Sequence, residues 1–282
     1  MELKQIGVIG ADQLGGGIVQ MCAQAGFAVV MVDTYREQTD RGLALITRSL
    51  GRRVEQGRLD ARERDAIIPL IRTSLEMSEL QNCDLIVDAT REDLGGRKQV
   101  IAQLDKIARR DVVLAACTTT LSVTELAAAS QEPRRVVGTH FFTPVPAARV
   151  VEIVKGLETA DDAVQLVVDL VTKAGKKAVT VNDSPGFVCN RVLLAMINEA
   201  IYTLMEGVAS VDAIDAALKL GADFGAGPLE MADRIGLDTC LYNLELLYRE
   251  LGNAQFRPCP LLRKMVAGGL LGRKTGRGFY RY

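Results

Sequence analysis

The sequence predicts an α/β protein in which an N-terminal Rossmann-type, doubly wound sheet is followed by an all-helical C-terminal domain. Short apolar runs alternate with helical segments through the first part of the chain, which is typical of βαβ units. A glycine-rich turn follows the first of these runs. From Phe187 onward only helical periodicity is found. We therefore expect two domains, over residues 1–183 and 184–282.

The first βαβ unit has the clearest pattern. Residues 5–10 form a short apolar run and are predicted to be a buried strand, and apolar residues at helical spacing follow them. Gly26 is expected just past the end of that helix, where glycine is common. The continuous apolar run 27–32 then predicts a parallel strand that is buried on both faces and ends at Asp33.

The alternation of strands and helices continues to about Val181. The polar segment 35–57 is expected to be helical. The other predicted elements are strands at 84–89, 112–117, 136–140 and 150–154, a helix at 92–109, and a helix–strand pair that ends near Val181. The segment 182–187 contains residues that cap or break regular structure, so we place the domain boundary within it.

Composition argues against several classes of function. The chain has 34 basic and 35 acidic residues and a net charge of −1, which gives it no electrostatic preference for nucleic acid or anionic membranes. No apolar run reaches the roughly 18 residues of a membrane span, and no signal-peptide pattern follows Met1, so we expect a cytoplasmic protein. The six cysteines are scattered without a CxxC motif. This favours free thiols over disulfides or a metal site.

The glycine-rich turn indicates a dinucleotide-binding site. It reads Gly10-Ala11-Asp12-Gln13-Leu14-Gly15, lies between a strand and a helix, and precedes Asp33 at the end of the next strand. The carboxylate of Asp33 is suited to accept hydrogen bonds from the adenosine ribose and to repel a 2′-phosphate, so NAD is expected rather than NADP. A tight turn that binds no nucleotide is the alternative, which the βαβ context disfavours.

Asp12 departs from the usual glycine fingerprint. It stands where the second glycine lets the backbone approach the cofactor pyrophosphate. Two unit charges about 4 Å apart repel by about 4 kcal/mol at an effective dielectric constant of roughly 20, which weakens binding several hundredfold if nothing compensates. If the side chain instead points into solvent, only backbone strain remains. The sequence leaves both possibilities open.

Several longer blocks fall in order across the whole chain. They are GVIGADQLGGGI, CTTTLSVTELA, HFFTPVP, VVEIV, NDSPGFVCNR, LGADFGAGPLEMAD and GRKTGRGFY. With them the sequence resembles the short-chain L-3-hydroxyacyl-CoA dehydrogenases, especially the bacterial 3-hydroxybutyryl-CoA dehydrogenases. The resemblance implies a Rossmann domain, a helical domain that forms a homodimer, and hydride exchange between NAD and the C3 carbon of a short-chain acyl-CoA.

The resemblance also implies roles for single residues. His140, the only histidine, matches the general acid/base of the family, and Glu152 matches the carboxylate that orients it. Alcohol oxidation needs a base, and an imidazole held by a carboxylate is suited to this chemistry. Asn190 matches a substrate-positioning amide, and Thr119 matches the hydroxyl that contacts the 3-oxygen. A purely structural histidine is the alternative for His140.

Further departures from the family surround these positions. Cys117 and Thr119 stand where the family usually has Asn and Ser, and Thr143 stands where it usually has Asn. Neutral drift in a working enzyme is one explanation, and an altered substrate or impaired catalysis is the other. Asp88 and Glu92 occupy places that touch the cofactor in the family, although acids are also favoured at helix starts by the helix dipole.

Arginines of the polar helix are candidates for binding coenzyme A. Arg41, Arg48 and Arg52 are spaced by seven and four residues and therefore share one helix face. The resemblance implies a helical hairpin here that holds the nucleotide end of coenzyme A, so Arg48, Arg52 and Arg58 are assigned to its phosphates. An ordinary solvated helix face is the alternative.

Two other functions stay open. One is a dehydrogenase of a hydroxyacyl carrier protein in a biosynthetic pathway, which the changes at Cys117, Thr119 and Thr143 would suit. The other is a non-catalytic member of the family with impaired NAD binding, which Asp12 favours. An intact pair of His140 and its carboxylate opposes the second alternative, because a non-catalytic protein has no need of it.

Overall fold

The computed structural model describes residues 3–282, and the chain divides into two compact units. The first unit ends at Ser184 and the second runs from Pro185 to Tyr282. The division lies one residue beyond the predicted position, within the segment of breaking residues.

The first unit contains an eight-stranded sheet with helices between its strands. The strands are β1 (Gln5–Ile9), β2 (Ala28–Val32), β3 (Ile71–Ser74), β4 (Leu85–Asp88), β5 (Val113–Cys117), β6 (Val136–Phe141), β7 (Val150–Lys155) and β8 (Lys177–Asn182). The helices are α1 (Gln13–Gln24), α2 (Arg36–Glu55), α3 (Ala61–Ile67), α4 (Leu94–Ile107), α5 (Val123–Ala127) and α6 (Asp161–Lys173).

The strand order is β3-β2-β1-β4-β5-β6-β7-β8. All neighbouring strands are parallel except β6 and β7, which are antiparallel. The predicted doubly wound sheet is therefore confirmed. Strand order reverses beside β1, and in such sheets ligands bind at the carboxyl ends of the strands next to this point.

Alternate residues of the central strands supply two separate cores, one on each face of the sheet. In β2, Val29 and Met31 pack on one face, whereas Val30 and Val32 pack on the other. This arrangement explains why the strands appear in the sequence as continuous apolar runs rather than as alternating ones.

Two elements near the sheet edge were not predicted, and one helix begins later than expected. Strand β3 has four residues, of which Ile71 alone is buried, and α3 is a short polar helix, so neither leaves a strong pattern. Helix α4 begins at Leu94 instead of Glu92, because the carboxylate of Asp93 caps it by accepting a hydrogen bond from the N–H of Gly96 at 2.7 Å.

The second unit is helical, as predicted, and surrounds its own apolar core. Its helices are α7 (Cys189–Met205), α8 (Val211–Gly221), α9 (Pro228–Ile235), α10 (Leu237–Leu251) and α11 (Pro260–Ala267). Among residues 3–282, no helix combines the length and apolar character needed to cross a membrane.

Candidate active site

The glycine-rich turn joins β1 to α1 where the strand order reverses. Gly10 has a φ angle of +102°, which other residues rarely adopt. A Cβ atom on Gly15 would lie 2.0 Å from the carbonyl oxygen of Gly10, so only glycine lets the helix start this close to the strand. The turn thus fits a dinucleotide, whose pyrophosphate must come close to the backbone at a helix N-terminus.

A cavity of about 850 Å³ opens beside this turn, at the carboxyl ends of β1, β2 and β4. Asp33 lines it and accepts hydrogen bonds from the N–H of Ala11 at 2.9 Å and of Thr34 at 2.7 Å. A carboxylate oxygen can accept two hydrogen bonds, so Asp33 keeps capacity for ribose hydroxyls. Cavity and carboxylate together fit the adenosine half of NAD.

Asp12 caps helix α1. Its Oδ1 accepts hydrogen bonds from the N–H groups of Leu14 and Gly15, both at 2.9 Å, and Gln13 is the exposed first residue of the helix. The φ angle of Asp12 is −75° in an extended conformation, so the backbone strain considered for this residue is absent. The carboxylate instead binds N–H groups that a phosphate would use.

His140 and Glu152 form a buried pair. They stand directly opposite each other on the antiparallel strands β6 and β7. The Nδ1 of His140 lies 2.5 Å from Oε2 of Glu152, and the two residues are 4% and 3% exposed. The carboxylate fixes the orientation of the imidazole and can stabilise its protonated form.

The segment after His140 is held by a lysine that sequence analysis missed. The Nζ of Lys176 donates hydrogen bonds to the carbonyl oxygens of Val145 at 2.7 Å and Ala148 at 2.6 Å. Burial, together with the nearby charge of Arg53, lowers the pKa of Lys176. A single lysine before a strand carries no sequence signal for this role.

Glu92 is bound by the threonine segment 118–120. It accepts hydrogen bonds from the hydroxyl of Thr118 at 2.8 Å, from the N–H groups of Thr119 and Thr120 at 2.7 and 2.8 Å, and from the hydroxyls of Thr119 and Thr120. Burial by itself raises the pKa of Glu92, but these hydrogen bonds outweigh it and lower the pKa. The proton of the Thr119 hydroxyl therefore points to Glu92, and its oxygen keeps the capacity to accept.

Replacing Glu92 by Gln should reduce the free energy of unfolding by roughly 1–2 kcal/mol at neutral pH, a modest value because the residue is partly exposed to water. Since the pKa of Glu92 is lowered in the folded state, its contribution is present above the unfolded-state value of about 4.3 and is lost as the pH falls. Urea denaturation of both proteins at about pH 7 and pH 4 measures this difference.

The matched control is Glu125→Gln, which removes a carboxylate from an exposed ion pair with Lys98. It should change stability by less than about 1 kcal/mol at either pH. If the loss of unfolding free energy caused by Glu92→Gln is the same at both pH values, the role given to the carboxylate charge is wrong.

Asp88 lies under the loop that follows β4 and is not among the residues lining the cavity, which include Ala89, Thr90 and Arg91. Its Oδ1 accepts hydrogen bonds from the N–H and hydroxyl of Thr90 at 2.9 and 2.6 Å. Arg97, only 2% exposed, donates to the carbonyl oxygens of Thr90, Arg91 and Asp88. Asp88 and Arg97 therefore shape the loop, and neither they nor Glu92 line the cavity wall.

Helices α2 and α3 form the hairpin that carries the predicted arginines. Arg48, Arg52 and Arg58 are all exposed. Arg52 lines two cavities of about 450 Å³ each, one together with Arg41 and Asp12 and the other together with Arg48. Arg58 lies in the turn after α2 and lines neither of them.

Asn190 is the second residue of α7 in the second unit and is partly buried. Cys117 is buried, with its Sγ 3.3 Å from the hydroxyl of Thr139, and burial raises the pKa of its thiol to about 12. It therefore fills the core rather than acting as a nucleophile. In the described part of the chain no group of His, Cys, Asp or Glu side chains could hold a metal ion.

Comparison with family models gives two matches that span the chain. Residues 5–184 match the NAD binding domain of 3-hydroxyacyl-CoA dehydrogenase, and residues 186–282 match the C-terminal domain of the same family. The two matches meet at the division between the two units.

Relatives are similar over their full length. A protein of Bacillus subtilis named as a probable 3-hydroxybutyryl-CoA dehydrogenase is 46% identical over 282 residues, covering 100% of this chain and 98% of that protein. A 3-hydroxybutyryl-CoA dehydrogenase of Bradyrhizobium diazoefficiens is 42% identical, covering 99% and 96%. The crystal structure of (S)-3-hydroxybutyryl-CoA dehydrogenase from Ralstonia eutropha is 40% identical, with a TM-score of 0.97 and coverage of 100% and 99%.

Proposed function

This chain belongs to the 3-hydroxyacyl-CoA dehydrogenase family and is an NAD-dependent oxidoreductase that acts at the C3 carbon of a 3-hydroxyacyl substrate. We propose that His140 is its general acid/base and that Glu152 is the carboxylate that orients His140. The observation that carries this proposal is the buried contact of 2.5 Å between the two side chains. The cofactor supplies the hydride acceptor when it is bound.

The two imidazole nitrogens of His140 are assigned different roles in the reaction. Since Nδ1 of His140 faces Glu152, proton exchange with the substrate is assigned to Nε2. In oxidation His140 takes the proton of the 3-hydroxyl group, and in reduction it returns that proton to the 3-oxygen. Glu152 compensates the positive charge that His140 carries between these steps. Thr119 and Asn190 are proposed to position the 3-oxygen and the acyl group.

The residues proposed to hold NAD are those of the glycine turn and the end of β2. Gly10 and Gly15 allow the close approach, the first turn with Gln13 and Leu14 offers N–H groups, and Asp33 meets the ribose. Glu92 and Asp88 are proposed to act on the cofactor site indirectly, through the segments that they hold in place.

Asp33 leads to a prediction about cofactor choice. Its carboxylate should repel a 2′-phosphate, so the specificity constant for NADH should exceed that for NADPH by about 10-fold or more, and Asp33→Ala should reduce this ratio. Initial rates with each nicotinamide cofactor measure it. Equal specificity constants for NADH and NADPH in the wild type would show that Asp33 does not contact the ribose of the cofactor.

We propose that the substrate is a coenzyme A thioester and that Arg48, Arg52 and Arg58 bind its phosphates. Two cavities that share Arg52 lie along this helix face, and a guanidinium group pairs well with phosphate. Turnover of acetoacetyl-CoA with NADH tests the function, with the acetoacetyl thioester of an acyl carrier protein as the rival substrate. Preference for the carrier-protein thioester would favour the biosynthetic alternative.

The non-catalytic alternative is disfavoured, because the matching family models and the relatives are those of dehydrogenases. Asp12 is the one observation on its side. Titration with NADH followed by the acetoacetyl-CoA assay tests it, and NADH binding without turnover would support it.

We propose further that the protein forms a homodimer through its second unit and works in the cytoplasm. The support for this proposal is the family resemblance of the helical unit, which also has exposed apolar side chains such as Val192, Val208 and Leu220, at 65%, 70% and 86%. All six cysteines are free thiols, which suits a reducing compartment. Light scattering coupled to gel filtration measures the mass in solution, and a mass of one chain would contradict the dimer.

A further inference from the structure

The carboxylate of Asp12 occupies the N-terminus of helix α1. The Oδ1 atom of Asp12 accepts hydrogen bonds from the N–H groups of Leu14 and Gly15, at 2.9 Å each. N–H groups at the start of a helix, together with the positive end of the helix dipole, are also what binds phosphate in a dinucleotide-binding turn. An N–H group makes one strong hydrogen bond at a time, so a carboxylate and a phosphate compete for the same donors.

The position of Asp12 between two cavities makes this competition direct. Asp12 lines the cavity of about 850 Å³ that contains Asp33 and also the cavity of about 450 Å³ that contains Arg41 and Arg52. A dinucleotide whose ribose meets Asp33 has its pyrophosphate at the turn. The neighbouring cavity offers the displaced carboxylate an alternative position among basic side chains.

We propose that Asp12 is an internal competitor for the phosphate-binding N-terminus of α1, and that this residue sets the affinity of the chain for its cofactor. The proposal rests on the NAD binding assigned above and adds its regulation by one side chain. Two properties of Asp12 both lower the affinity for NADH. The cap stabilises the helix without cofactor, and its negative charge repels a second anion.

The experiment is a fluorescence titration with NADH of the wild type, Asp12→Gly and Asp12→Asn. Asp12→Gly removes both the cap and the charge and should tighten NADH binding by about 10-fold or more. Asp12→Asn keeps a capping side chain and removes only the charge, so it should tighten binding less. The ratio of the NADH affinity of Asp12→Asn to that of the wild type should shrink as salt rises from about 20 mM to about 0.5 M. Salt screens the repulsion between exposed charges, which only the wild type has at this position.

Asp60 provides a matched control. Its Oδ1 caps helix α3 by accepting a hydrogen bond from the N–H of Arg62 at 2.8 Å, and Asp60 lines neither of the two cavities that Asp12 lines. Asp60→Asn should leave NADH affinity unchanged. Thermal unfolding without cofactor should show Asp12→Gly to be no more stable than the wild type, so that tighter binding cannot come from better folding.

Adenosine separates this proposal from the proposed function. Adenosine has no phosphate, so it should bind equally to the wild type and both Asp12 variants through the cavity that contains Asp33. If NADH also binds equally to all three proteins, Asp12 is not a competitor although NAD binding stands. If neither ligand binds any of the three, the cofactor assignment fails and the proposal fails with it.

Discussion

Replacing His140 by Ala should lower the turnover of acetoacetyl-CoA by roughly 10²- to 10⁴-fold, the usual contribution of general acid/base catalysis. His140 is the only histidine, so no second imidazole can take over the proton. Steady-state kinetics with NADH measure the loss. NADH binding should stay nearly the same, because His140 is not among the residues that line the cofactor cavity.

His140→Ala also leaves the buried carboxylate of Glu152 without this partner, which can destabilise the fold. His140→Gln is therefore the matched variant, since its amide can still donate a hydrogen bond to Glu152 and cannot exchange a proton. Both variants should show the same loss. Retention of more than about a tenth of the activity by a folded variant would remove His140 from its role.

Glu152→Gln should lower turnover by a smaller factor than the loss of His140, about 10- to 100-fold. The carboxylate compensates the positive charge that His140 carries during the reaction, and the amide does not. Steady-state rates of 3-hydroxybutyryl-CoA oxidation at saturating NAD measure this loss. The affinity for NADH should stay nearly the same, because Glu152 is not among the residues that line the cofactor cavity.

Glu125→Gln is the control, because it also removes one carboxylate charge, but from an exposed ion pair with Lys98. Its turnover should match that of the wild type. If the turnover of Glu152→Gln also matches that of the wild type, Glu152 has only a structural role.

Much of the first unit could be predicted because its signals are local. Strands that are buried on both faces are continuous apolar runs, and the glycine turn between β1 and α1 has its own spacing. Strand β3 could not be predicted, because an edge strand with a single buried residue makes no such run. The other edge strand, β8, has no buried residue, but it was predicted because Val179, Thr180 and Val181 are β-branched residues that favour a strand.

The candidate site was predictable where residues lie on neighbouring strands and not where distant loops meet. His140 and Glu152 stand opposite each other on β6 and β7, which are two of the predicted strands. The contact of Glu92 with the threonine segment joins residues 27 positions apart through loops, which no periodicity describes. The capping role of Asp12 has a local pattern in the sequence, since Asp directly before a helix is a preferred N-cap residue.

The pairing of β6 with β7 ties catalysis to strand alignment. His140 and Glu152 are partners in the antiparallel register, and successive side chains of a strand point to opposite faces of the sheet. Deleting one residue inside either strand would turn one member of the pair to the other face. Insertions in the connection between Phe141 and Val150 would leave the pair aligned. The alignment of the pair therefore depends on the number of residues in each strand and not on the length of the connection between them.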